Sequence, residues 1–364
     1  MIMPPKDKRI GLEDIARESG YSISTVSLAL RNKPGIPQET CKLVQDTARN
    51  LGYCSRDSFP RRKIPHYPPL KNIGVVIKAQ PDDFPQTNQF YSHVLVGIEG
   101  ACRQNKLNLI MATILVDDFN HPIEVPSILQ EGGVEGILVV GAYLDDPILE
   151  ILRHRALPMV LVDAYVQEGA YDSVVSDNGE GACQAVRYLL TRGHRSIGFV
   201  GGYPSAYPSL RERREGFLRG LDFDLSSRGY FADCRIDPVE VNEAVRKLLD
   251  EHPEITALVG VNDEVAISAM RAAHALGYQI PGDLSVVGFD DILLSSHVQP
   301  TLTTLRVDKL NMGRLAVIHL INRVNNPSAA IITSTIHTSL VERESVADIQ
   351  AIRLNSELPQ KELS

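Results

Sequence analysis

Four hydroxyl side chains crowd the stretch SISTVSLALRN at residues 22–32, where Ser22, Ser24, Thr25 and Ser27 alternate with Ile23, Val26, Leu28 and Leu30. Hydroxyls and free backbone N–H groups at the start of a helix suit phosphate oxygens and base edges. A second polar set follows apolar runs further along the chain. Asp163 ends LPMVLVD, Asn262 and Asp263 follow ALVGV, and Asp290 and Asp291 end LSVVGFDD. Carboxylates and amides at converging strand ends supply the acceptors and donors that a hydroxylated small molecule needs. Their competing role is to cap the helices that follow, the better reading for Asp263 and Asp291.

Catalytic and cofactor signatures are missing from the sequence. It has no G-x-G-x-x-G, no G-x-x-x-x-G-K-[ST], no H-E-x-x-H and no G-x-S-x-G. GFVGG at 198–202 follows a predicted strand but has the wrong spacing, and reads as a tight turn. The ten histidines show no ligand spacing. We therefore expect no catalytic residue, no metal and no cofactor.

These residues need elements to hold them. Leu12, Ile15 and Ala16 share one helical face, which Gly20 ends. Ser22 suits the N-cap of a second helix, with Val26 and Leu30 on its buried side. NKPG marks a turn, and a third helix runs from about Pro37 to Leu51 with Leu43, Val44, Ala48 and Leu51 apolar. Three short helices with a glycine turn match a helix-turn-helix unit, whose second helix reads DNA in the major groove. The expected contacts are Ser22, Ile23, Ser24, Thr25, Ser27, Leu28, Arg31 and Asn32.

Charge agrees with this division. Residues 1–71 hold 13 Lys+Arg against 7 Asp+Glu, a balance of +6, and the remainder carries −14. A basic head on an acidic body places the polyanion contact in the head. At 364 residues the chain exceeds one ordinary core. From Ile73 onward, apolar runs (NIGVVI, LNLIMA, GILVV, LPMVLVD, SIGFV, ALVGV, LSVVGF) alternate with six amphipathic helices between Tyr91 and Leu276. That pattern predicts an α/β body of two parallel, doubly wound sheets, with ligand bound beyond the carboxyl ends of their strands. The expected division is 1–57 for the head, 58–71 for a linker, 72–347 for the body and 348–364 for a polar tail.

The head sequence LEDIARESGYSISTVSLALRNKPGIPQETCKLVQDTARNLGY, from Leu12 to Tyr53, resembles the lactose-repressor (LacI/GalR) family of transcription regulators. The body segments TNQFY, VSDNGEGA, RGHRSIGFVGG, ERREGF, VNDEVAISAMRA and IPGDLSVVGFDD resemble that family's type I periplasmic-binding-protein-like effector domain. The resemblance implies an effector site at Asn88, Phe90, Tyr91, Asp163, Arg213, Asn262 and Asp290, and a pentose or hexose as a plausible effector. The family's hinge helix places a leucine in the minor groove; here Arg62 holds that position and Pro60 falls within the helix, which leaves either Phe59 as a wedge or a plain linker whose Arg61, Arg62 and Lys63 touch phosphate. Five positions depart from the family pattern: Leu28 stands where an arginine is common, Pro37 where a serine cap is usual, Arg62 at the hinge leucine, Gln89 where proline is usual, and Ala164 where arginine is frequent.

The expected protein is thus a regulator controlled by a small molecule. Its partners would be double-stranded DNA with a palindromic operator, and a second copy of the chain, since the tail offers no heptad for a larger assembly. The start of the chain has no apolar signal core, and the five cysteines form no C-x-x-C pair, so a cytoplasmic protein is expected. A transport-type solute-binding protein would share the body but has no need of a basic head.

Overall fold

A computed structural model describes residues 12–30, 36–51, 67–79, 88–117, 121–141, 143–144, 146–166, 171–204 and 206–349. The chain divides into two compact units, one through Pro65 and one from His66 onward.

The first unit has three helices, α1 (Leu12–Ser19), α2 (Ile23–Leu30) and α3 (Gln38–Asn50). Gly20 ends α1 in a left-handed conformation (φ +75°), and its N–H donates to Ala16 O at 3.0 Å. Ser22 Oγ accepts the N–H of Thr25 at 3.1 Å, the N-cap bond expected of it. Ile15, Val26, Ala29, Val44 and Ala48 are buried together. Leu43, expected among the apolar core positions of α3, is instead exposed, because its neighbours Val44 and Ala48 occupy the inward face.

The second unit contains two large sheets and a small two-stranded one formed by residues 143–144 and 165–166. The first lobe is built from β1 (Asn72–Ala79), α4 (Gln89–Gln104), β2 (Asn108–Val116), β3 (Pro122–Glu124), α5 (Ser127–Gln130), β4 (Gly136–Val140), β5 (Tyr143–Leu144), α6 (Asp146–His154), β6 (Met159–Val162), β7 (Tyr165–Val166) and β8 (Asp172–Ser176). The second has α7 (Asn178–Thr191), β9 (Ser196–Val200), α8 (Pro208–Leu221), β10 (Arg228–Ala232), α9 (Pro238–Glu251), β11 (Ala257–Gly260), α10 (Asp263–Ala275), β12 (Ser285–Asp290) and β13 (Thr303–Arg306). The chain then returns to the first lobe with α11 (Lys309–Asn325) and β14 (Thr333–Ile336), and closes the second with β15 (Ser339–Val341).

Strand order is β14-β8-β6-β4-β1-β2-β3 in one sheet and β10-β9-β11-β12-β13-β15 in the other. Pairing is parallel except at β3 and β15. The central strands β4, β6, β11 and β12 are buried along their whole length, as parallel strands covered on both faces must be. The chain passes between the sheets three times, after β8, after β13 and after β14. Part of the expected linker belongs to this body: Leu70 packs on its core, and the N–H of Lys71 donates to Glu135 Oε2 at 3.0 Å.

The lobes are held by close helix pairs. Gly97 of α4 and Gly313 of α11 face each other's backbones: a Cβ at Gly97 would collide with Leu310 O, and one at Gly313 with Val94 O.

Candidate functional site

The end of β6 starts the site. Asp163 adopts a left-handed backbone (φ 46°) immediately after the strand, which turns its side chain out of the sheet register. Tyr91, in the first turn of α4, donates its hydroxyl to Asp163 Oδ2 at 3.0 Å. The other carboxylate oxygen, Asp163 Oδ1, is buried and accepts no hydrogen bond among the described residues.

The second lobe contributes a buried ion pair. Arg213 projects from α8, 5% exposed, and its Nη2 donates to Asp290 Oδ1 at 3.0 Å. Its Nη1 donates to Val261 O at 2.8 Å and its Nε to Asn178 Oδ1 at 2.9 Å. The guanidinium carbon lies 3.8 Å from the centre of the Phe289 ring, a cation–π contact. Three of the five guanidinium N–H groups are thereby committed, which fixes the plane of the fork.

Asn178, the first residue of α7, stands where the chain first enters the second lobe. Its Nδ2 lies within hydrogen-bond reach of Tyr165 OH (3.2 Å), Glu212 Oε2 (3.0 Å) and Ser176 O (3.3 Å). The Tyr165 and Tyr207 rings meet edge to face, with centroids 6.2 Å apart. Lys309 begins α11, donates from Nζ to Asp290 O and Asp291 O, and lies 5.8 Å from the centre of the Phe90 ring.

Burial dominates the electrostatics. It pushes the Asp163 carboxyl up to about 6, against the pull of Arg213 and the Tyr91 hydroxyl, while Asp290 adds to the rise. Asp290 is raised by the same desolvation, opposed by Arg213 and Lys309. Burial also holds the Lys309 ammonium below its usual range, although Asp290, Asp291 and Asp263 favour its charge.

The structure thus gathers Tyr91, Asp163, Arg213 and Asp290 into one buried group, the candidate cleft, where Asp163 feels the charges of Arg213 and Asp290. Phe90 is buried in the core and meets Tyr91 edge-on, at 5.1 Å between ring centres. Asn88 is the N-cap of α4, its Oδ1 accepting from Phe90 N (2.9 Å) and Tyr91 N (3.1 Å). Asn262 likewise caps α10 through Val265 N at 2.9 Å. Two expectations are corrected. Asp263 caps nothing: it is fully buried and accepts from Ile292 N (2.8 Å), Ser295 Oγ (2.7 Å) and Thr304 Oγ1 (2.5 Å). Asp291 pairs with Arg306 Nε (2.6 Å) and Arg343 Nη2 (2.5 Å) instead of a helix end. In both cases cationic or hydroxyl donors from distant segments outcompete the local amides.

In the head, Ser22, Ile23, Ser24 and Leu28 are exposed, Thr25 and Ser27 are half-buried, and Val26 and Ala29 face the core. Arg31 and Asn32, with the hinge residues Phe59, Arg61 and Arg62, lie outside the described residues.

Comparisons with known proteins fit both units. Residues 11–55 match the family model of bacterial regulatory proteins of the lacI family, and residues 186–346 match the periplasmic binding protein-like domain. The head is a lacI-family DNA-binding domain and the body a periplasmic binding protein-like domain. Among relatives of this regulator, the HTH-type transcriptional repressor PurR of Proteus mirabilis is 28% identical over 341 residues, covering 93% of this chain and 97% of the relative. The transcriptional regulator CelR, in complex with cellobiose, shares the fold with a TM-score of 0.67 at 24% identity, over 93% of this chain and 100% of CelR. A LacI-family regulator of Enterococcus faecium with bound ribose gives 0.65 at 25% identity, over 76% and 99%. The chain is a DNA-binding transcriptional regulator with an effector-binding body. No helix among its described residues is long and apolar enough to cross a membrane.

Sequence reasoning missed Asn178, Tyr165, Tyr207, Glu212 and Lys309. Asn178 and Lys309 carried one signal, each directly following a strand or its connecting residues, but only the chain crossings bring them to the cleft.

Proposed function

We propose that this regulator is a cytoplasmic repressor. It binds a palindromic operator as a homodimer, and its operator affinity is set by a sugar or sugar derivative held between the two lobes. The observation that carries the effector reading is Asp163 Oδ1, a buried carboxylate oxygen with no donor among the described residues, in the same cleft as the Arg213–Asp290 pair. Leaving a buried acceptor unmatched costs free energy, and a ligand hydroxyl would supply the missing donor. Arg213 keeps two further N–H groups for ring or hydroxyl oxygens. Tyr91 adds an aromatic wall, a surface suited to the C–H face of a sugar ring. The bound ribose of the Enterococcus faecium relative supports the same ligand class. Asn88, Phe90 and Asn262 contribute by positioning: two cap the helices that bear Tyr91 and line the second lobe, and Phe90 packs beneath Tyr91.

The cleft binds and releases its ligand unchanged. Its ion pair, Arg213–Asp290, is held in a fixed geometry suited to recognition. In the head, one reading helix per chain reaches one half-site, so two chains related by a two-fold axis match a palindrome.

The test is a thermal-shift panel of ribose, other pentoses, hexoses, disaccharides and their phosphates. A true effector raises Tm progressively with its concentration. That rise is expected to vanish in Asp163→Asn and Arg213→Ala. A panel without any saturable shift would overturn the sugar reading.

A further inference from the structure

Besides the residues of the candidate site, a further hydrogen bond among the described residues ties the lobes together. Gln89 is the first residue of α4 in the first lobe, and its Oε1 accepts the backbone N–H of Leu294 at 3.1 Å. Leu294 lies in the 3-10 turn Leu293–Ser296, which follows β12 in the second lobe.

Both ends of this bond are rigidly mounted. On the acceptor side, the Asn88 cap precedes Gln89 and the buried Phe90 ring follows it. On the donor side, buried Asp263 accepts from Ile292 N and Ser295 Oγ, which bracket Leu294. A hydrogen bond between two fixed supports cannot follow them apart, so separation of the lobes breaks it. The residue type matters too. Proline at this first helical position would start α4 equally well but would bring no side-chain acceptor.

We propose that Gln89 is an inter-lobe latch that sets how readily the cleft opens and thereby tunes apparent effector affinity. A ligand that needs one arrangement of the lobes binds in proportion to that arrangement's population. This consequence rests on the cleft being the effector site, whereas the latch itself does not.

The test therefore uses the full chain without ligand. Spin labels on unnatural residues replace exposed Glu131 of the first lobe and Glu251 of the second, and the labelled chain is diluted into unlabelled protein. Distance distributions are compared for the parent, Gln89→Ala, Gln89→Pro and Gln89→Glu. Losing one neutral hydrogen bond is expected to raise the ratio of longer to shorter distances about two- to tenfold in the alanine and proline variants. Gln89→Glu, which keeps an acceptor for the Leu294 N–H, is expected to retain the parent distribution. Unchanged distances in both alanine and proline variants would overturn the latch. So would a glutamate variant that opens as far as they do, since the bond would then not be the cause. Failure here leaves the sugar reading standing, and a sugar panel without a hit leaves the latch standing.

Discussion

Arg213 and Asp290 lie 77 residues apart in sequence and 3.0 Å apart in space, joined as a buried ion pair. The pair stiffens both groups toward the cleft, and it makes each dependent on the other. Removing one partner strands the other charge in a low-dielectric interior.

Arg213→Ala and Asp290→Ala should each weaken binding of the sugar found by thermal shift at least about tenfold. Operator affinity should stay near the parent value, because the reading helix lies in the other compact unit. Both variants should also unfold at lower urea, by about 3–5 kcal/mol for a broken buried pair. Calorimetry with the sugar and gel shift with operator separate the two effects. Near-parent sugar affinity in both variants would show that the site lies elsewhere.

The contribution of Asp163 to stability should fall as pH rises from about 4 to about 6. Burial raises the folded-state pKa of Asp163 to about 6, so the folded chain holds a proton that the unfolded chain has released. The contribution is complete below the ordinary carboxylate range and is lost as pH rises through 6. Asp263, pushed up to about 7 chiefly by burial with Asp290 adding, acts in the same direction. Asp163→Asn should flatten part of this slope in urea titrations at pH 4.5 and 7. A slope identical to the parent's would mean that Asp163 does not titrate in this window.

The head should bind DNA with a strong salt dependence. Lys and Arg contacts to phosphate release counterions, so log affinity should decline linearly with log salt. Filter binding from dilute to near-physiological salt measures the slope, and a flat response contradicts phosphate contact.

Leu28 is 40% exposed on α2, one turn after exposed Ser24. An apolar side chain facing the bases can pack on a thymine methyl but cannot donate to guanine. Operators selected from a randomised pool should favour thymine at that base pair. Leu28→Arg should shift the preference to guanine, with a discrimination change of about 1–3 kcal/mol. An unchanged preference would show that the residue faces away from the bases.

Gly313→Ala should destabilise the body by about 1–3 kcal/mol, the usual cost of overpacking a close contact. The added methyl meets Val94 O where α11 crosses α4, and relieving that collision separates two helices of the first lobe. Urea unfolding gives the value, and a parent-like midpoint would mean that the crossing has slack.

The sequence by itself determined what neighbours along the chain decide. Gly20 ending α1, Ser22 capping α2, the buried faces at Ile15 and Val26, and the apolar central strands all follow from local periodicity and capping chemistry. The polar strand ends Asp163 and Asp290 were legible for the same reason. Weaker elements were not: β8, β13 and β14 are rich in Ser and Thr, and α11 has apolar residues around most of its surface, so neither gives a clean period. Tertiary structure alone decided which polar group does what. Asn262 caps α10 while its neighbour Asp263 turns inward, because donors from Ile292, Ser295 and Thr304 arrive on a later segment. Asn178 and Lys309 enter the cleft only because the chain changes lobes beside them. A buried carboxylate or amide takes whatever donors the fold brings within 3 Å or so, and that distance is set by chain crossings that no local pattern records.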